Sequence, residues 1–227
     1  MKREIRFQGK LLEYTLIQAP RRDVRIQALE GGLTRVYAPR QVPLAEIDHL
    51  VAQRAGEILA MQRALTPAPL QNGGIVRVEG KPRRLRLERG QEGSYLTEEE
   101  WVLFCPDPEN AQETRDRARS FLSERALARI REWLDFYAPR IGVTYGRVTV
   151  RNQRTRWGSC SSRGNLNFNW RLILAPRECL EYVVIHELCH RREFNHSPRF
   201  WSLVEQQMRD YRVWKEYLKK NGAGLNF

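Results

Sequence analysis

Leu180-Glu181-Tyr182-Val183-Val184-Ile185-His186-Glu187-Leu188-Cys189-His190, followed by Arg191-Arg192-Glu193-Phe194-Asn195-His196-Ser197-Pro198, decides how this chain is read. His186 and His190 stand four residues apart in an apolar run. On an α-helix that spacing turns roughly 40° around the axis, so both imidazoles project side by side from one face. Two neutral imidazoles so placed can grip one Zn²⁺. Glu187 points to the side of the pair, where its carboxylate can reach a water on the metal without becoming a ligand. The chain has 4 histidines, and all but His49 fall within residues 186–196.

On an unbroken helix His196 would stand about 9 Å beyond His190 along the axis and face elsewhere. Stop signals intervene. Asn195 tolerates the left-handed conformation that closes helices, and Ser197-Pro198 combines an N-cap with a first-turn proline. The helix over Leu180 to Phe194 is therefore expected to end at a tight corner that returns His196 as a third ligand. The spacing equals that of H-E-x-x-H-x-x-G-x-x-H sites, with Glu193 in place of the glycine. Three imidazoles leave the fourth tetrahedral position to water, whose pKa zinc lowers from ~15.7 to about 7. Glu187 would take its proton as it attacks a carbonyl and hand that proton to the leaving amine. A core helix carrying H-E-x-x-H without a metal would suffer a heavy desolvation cost. Glu205, on the next helix, is the rival third ligand, and the longer separation of thermolysin-type sites falls on Arg209 instead of a carboxylate. Cys189 points to another face and reads as a buried core thiol.

The surrounding composition is that of an ordered globular chain: 227 residues, 41% hydrophobic, with 6 Trp, 8 Tyr and 8 Phe. No signal peptide or membrane span is evident, so a cytoplasmic location is expected. Cys105, Cys160, Cys179 and Cys189 lack C-x-x-C spacing and are expected as free thiols. Net charge is +12. Residues 1–108 hold 17 Lys/Arg against 14 Asp/Glu and residues 109–227 hold 22 against 13, an excess of +3 and then +9. The second half is suited to attract nucleic acid or acidic polypeptide, although an Arg-rich solvated surface would show the same balance.

Alternation over residues 11–38 predicts a small antiparallel meander, with Ala19-Pro20-Arg21-Arg22-Asp23 and Glu30-Gly31-Gly32 as turns. Ile47, Leu50, Val51, Ala55, Ile58 and Leu59 predict one helix over Leu44 to Leu65. Thr66-Pro67-Ala68-Pro69 and Asn72-Gly73-Gly74 form a break, and short strands follow around Ile75-Val78, Leu85-Leu87 and Trp101-Phe104. A long amphipathic helix over Ala111 to Tyr137, ended by Pro139 and Gly142, opens the second part. The domains are expected as 1–108, β-rich with one helix, and 109–227. Strands are expected at Thr144–Val150 and Asn165–Trp170, flanking the active-site helix.

Arg154-Thr155-Arg156-Trp157-Gly158-Ser159-Cys160, then Asn169-Trp170-Arg171-Leu172, His186-Glu187-Leu188-Cys189-His190 and Asn195-His196-Ser197-Pro198-Arg199-Phe200-Trp201 together resemble the YgjP-like zinc metallopeptidases, relatives of SprT-like and minigluzincin-type zincins. The match in order and spacing spans about residues 144–215. The resemblance implies an α+β fold with a zincin-like catalytic domain, one zinc ion on His186, His190 and His196, and Glu187 as base. It also implies a polypeptide substrate. The Arg156-Trp157-Gly158-Ser159 segment reads either as a strand edge that holds an extended substrate by backbone pairing or as a core tryptophan and a turn glycine, Arg154 or Arg156 is a candidate oxyanion or carboxylate contact, and Phe200 and Trp201 read as helix-packing residues. A contrasting expectation, motivated by the +9 half, is a nucleic-acid-associated zinc protein, either a DNA-recruited protease or a binding module.

Overall fold

A computed structural model describes residues 1–29, 33–65, 70–153 and 155–227. The chain is a mixed α+β protein of two compact units, Met1–Ala68 and Pro69–Leu225, with Phe227 in the second. Among the described residues no helix is long and apolar enough to cross a membrane. The expected turn at Glu30-Gly31-Gly32, the break at Thr66-Pro67-Ala68-Pro69 and Arg154 lie outside the described residues.

In the first unit β1 (Lys2–Phe7), β2 (Lys10–Gln18), β3 (Arg25–Ala28) and β4 (Thr34–Ala38) form one sheet in the order β1-β2-β4-β3. This is not the expected antiparallel meander, because β2 pairs β4 in parallel. An additional strand, β1, joins β2 through a tight turn whose Gln8 and Gly9 have φ of 47° and 75°. The expected single helix is two, α1 (Leu44–Gln53) and α2 (Ala55–Leu65), because Arg54 leaves helical geometry at φ −97° and ψ 8°. Ile47, Val51, Ala55 and Ile58 are nonetheless buried together with Leu12, Leu16 and Val36. The apolar stripe was legible, whereas the one-residue interruption lacks a sequence signal.

The second unit begins with β5 (Ile75–Val78), β6 (Lys81–Arg89), β7 (Tyr95–Leu96) and β8 (Glu100–Cys105), in the order β5-β6-β8-β7 with β6 parallel to β8. The helix α3 (Ala111–Ile141) packs on this sheet: Trp101 stacks on Phe121 at 5.8 Å, and Leu103 shares one core with Leu122, Ala126 and Ile130. The expected boundary near residue 108 therefore falls inside this unit. Cys105-Pro106-Asp107-Pro108 ends a strand but does not end a core. Asn110 caps α3 by accepting from the amides of Gln112 and Glu113, both at 3.1 Å, and Gly142 closes it at φ 72°. Pro139 lies inside its last turn instead of ending it.

A smaller sheet follows, from β9 (Val148–Arg151), β10 (Gly158–Cys160) and β11 (Leu166–Asn169), in the order β10-β11-β9. β10 is thus an edge strand. A 3₁₀ turn over Trp170–Leu174 leads into α4 (Arg177–Cys189), then α5 (Pro198–Gln207) and α6 (Tyr211–Asn221). Leu166 and Phe168 of β11, Val184, Ile185 and Leu188 of α4, and Leu134 of α3 are buried in the same core. The start of α4 is braced by the β5–β6 hairpin. Its tip, Glu79-Gly80, has φ of 54° and 77°, and the Glu79 amide donates to Ile173 O at 2.6 Å.

Candidate metal centre and cleft

His186 and Glu187 lie in the last turn of α4, and His190 is its C-cap. The helix is shorter than expected. After Cys189 the chain tightens, with Arg191 and Arg192 amides donating to Leu188 and Cys189 carbonyls at 2.9 and 3.0 Å. Asn195 is not left-handed; its side chain instead accepts from the Ser197 amide at 3.2 Å. Ser197 Oγ in turn accepts from Phe200 N at 3.3 Å, with Pro198 opening α5. The corner forms where the capping residues placed it, through a side-chain turn.

This corner brings His196 Nε2 to 3.1 Å from His186 Nε2, while His190 Nε2 lies 3.2 Å from the same atom. Donors about 2.0–2.1 Å from a tetrahedral zinc stand roughly 3.3 Å apart, so both separations suit such an ion, and all three ligand atoms lie within 4.8 Å of one another. Glu193 O lies 3.1 Å from His190 Nδ1, a bond that places the ring proton on Nδ1 and frees Nε2 to ligate. Burial, followed by the fields of His190 and His196, pushes the His186 pKa down to about 3 and keeps this ring neutral. Burial likewise lowers His190, against the Glu193 carbonyl. Phe200 is fully buried, and its ring centroid lies 4.9, 4.5 and 4.9 Å from those of His186, His190 and His196. Trp201 stacks on His196 at 5.5 Å. These helix-packing aromatics are the wall that holds the three imidazole rings.

Glu187 is 4% exposed, and burial raises its pKa to about 8 against the field of Arg156. The reason it can sit there is Gly158. A Cβ built on Gly158 would fall 2.4 Å from Glu187 Oε1, so only a glycine in β10 admits the carboxyl. From the sequence this residue read equally as a turn glycine or as part of a substrate-holding strand edge; its relation to Glu187 becomes visible only when β10 is laid beside α4. Trp157 packs its indole on Gly222, where a Cβ would meet it at 2.5 Å. Arg156 and Trp157 line a cleft of ≈ 300 Å³ that reaches His186 and Glu187.

Glu205, the rival ligand, faces Arg212 at 3.8 Å and does not join the three histidines, which form the metal-competent cluster among the described residues. Cys189 is buried, and desolvation raises its thiol to about 12. All four cysteines are free. Lys215 and Lys219 also line the cleft, and the sequence reading passed over them. Their i, i+4 spacing on an amphipathic helix was the available signal.

The family model "YgjP-like, metallopeptidase domain" matches residues 22–221, and the chain belongs to this family. No curated protein matches it. The crystal structure of the metallopeptidase zymogen of Pyrococcus abyssi abylysin is similar over 40% of this chain and 93% of its own, at 20% identity and a TM-score of 0.36.

Proposed function

We propose that this metallopeptidase is a zinc-dependent enzyme of the HExxH type that hydrolyses peptide bonds, with its zincin-like catalytic machinery in the second unit. His186, His190 and His196 would hold one zinc ion, and Glu187 is the general base. The observation that carries the reading is the convergence of three imidazole nitrogens beside a buried carboxylate. A zinc ion there acidifies water and polarises a carbonyl. The protein's own part is orientation and proton transfer. Gly158 and the core of α4 fix the Glu187 carboxyl on the lining of the cleft, where it removes the proton of the attacking water and delivers it to the leaving amine. Arg156 supplies a positive field on the cleft wall facing the developing oxyanion. As the edge strand of its sheet, β10 is placed to pair with an extended substrate.

Glu187→Gln tests the assignment. The variant is expected to bind zinc as the wild type does and to lose roughly 10²–10⁴-fold in peptide hydrolysis, the range for removing a general base. Equal hydrolysis by both proteins would remove Glu187 from the mechanism.

A further inference from the structure

The cleft beside Glu187 has an apolar floor and a cationic rim. Val183 and Leu218 are buried at its base, Trp157 forms one side, and Arg156, Lys215 and Lys219 ring the opening. Lys215 and Lys219 occupy successive turns of α6 and therefore share a face. Lys215 Nζ lies 3.9 Å from the Trp201 ring centroid, and that ring stacks on His196, so this ammonium is held next to the histidine cluster. Among the described residues neither Arg156 nor Lys215 has a carboxylate within ion-pair distance, and Lys219 shares Glu216 with Lys220 at 3.6 and 3.8 Å. Glu187 is the one carboxylate on the lining, and it is withdrawn beneath Gly158. The rim thus carries three cations against one exposed carboxylate, Glu216, with Arg156 also in the field of the buried Glu187.

We propose that this cleft selects polypeptide segments carrying a glutamate or aspartate side chain next to the scissile bond. Methylene groups of the side chain would lie on Val183 and Leu218, and its carboxylate would meet Lys215 and Lys219, with Arg156 opposite. The proposal rests on the peptidase reading for its scissile bond, while its anion site stands on the cleft alone.

The experiment uses full-length protein and amidated, internally quenched peptides that differ only in Glu against Gln at each position near the cleavage point. Two rim-exposed ion pairs are expected to favour the Glu peptide by roughly two- to thirty-fold in kcat/KM, and added salt should shrink that ratio. The same pairs are then measured by fluorescence anisotropy on zinc-loaded Glu187→Gln, where binding is read without turnover. A Lys215→Glu/Lys219→Glu variant should invert the preference, favouring Lys-containing peptides over Glu in both assays. Charge-dependent binding without hydrolysis in the wild type would uphold the anion site and sink the peptidase reading. Hydrolysis with equal rates for Glu and Gln peptides, or a Glu preference that survives the double reversal, overturns the proposal. A preference that appears only when the same peptides are remade with a free C-terminal carboxylate, and not with an internal Glu, overturns the side-chain assignment.

Discussion

Replacing Gly158 by alanine isolates the step in which the fold places the base. The new Cβ would lie 2.4 Å from Glu187 Oε1, 2.8 Å from Cγ and 2.9 Å from Cδ, where ordinary contact begins at 3.4 Å. Because three successive atoms of one side chain are too close, turning the carboxyl about its last bond does not relieve the clash. The carboxyl must retreat by about 1 Å, a misplacement that costs on the order of 10²-fold in rate. The strain of overpacking adds ~1–3 kcal/mol of destabilisation, small enough to leave the protein folded. The three histidines proposed to hold zinc are untouched, so metal content should equal that of the wild type. Three measurements decide: kcat/KM on a peptide, bound zinc, and thermal unfolding. The double variant Gly158→Ala/Glu187→Gln should be no slower than Glu187→Gln alone, since residues acting through one group do not add. Wild-type activity in Gly158→Ala would refute the reasoning, and so would a loss of activity that tracks a loss of zinc.

His196→Ala should weaken zinc binding by more than the roughly 10–100-fold typical of an outer partner. Glu205→Ala should leave it unchanged, and a competitive chelator titration reporting the opposite order would transfer the ligand role. Asp48 accepts from Arg3 and, at 2.5 Å, from Tyr14, and the Arg3 hydrogen bond holds its pKa below the usual 3.8 despite burial. A depressed folded-state value contributes stability that is present above 3.8 and lost as pH falls through the lower folded value. Hydrogen exchange of the β2 amides, corrected for intrinsic rates, should therefore show the first unit loosening in that acid window, and Asp48→Asn should flatten the dependence. Identical profiles would discount the pair. Gly80→Ala forces a side chain onto φ +77° and a Cβ to 2.9 Å from Pro176 Cα, so it should cost more than about 1 kcal/mol in urea denaturation. An unchanged midpoint would show that the hairpin tip does not brace α4.

How much of this was legible depended on how local each signal is. The His186–His190 face, the corner before α5 and the Gly142 end of α3 depend on residues within one or two helical turns, and each was readable from residue types alone. The corner was read correctly in place but not in means, since Asn195 acts through its side chain. The strands themselves were mostly visible as alternation, but their partners were not. β2 with β4, β6 with β8 and β9 with β11 are all parallel pairs. Nothing in a strand's own residues states which distant strand will lie beside it or in which direction. The unit boundary was misjudged for the same reason: proline-rich turns mark ends of elements, whereas the division follows which elements share a core.

By itself, then, the sequence determined the chemistry available: three histidines and a carboxylate at helical and capped spacings, free thiols, and a basic second half. Tertiary structure decided how that chemistry is arranged. Only the packing of β10 against α4 makes Gly158 the residue that admits Glu187, and only the approach of α6 to the same cleft gathers Lys215 and Lys219 beside Arg156. The physical reason is range: helix periodicity and capping act over a few residues, whereas close backbone approach and a shared field arise from segments that meet only once the core has formed.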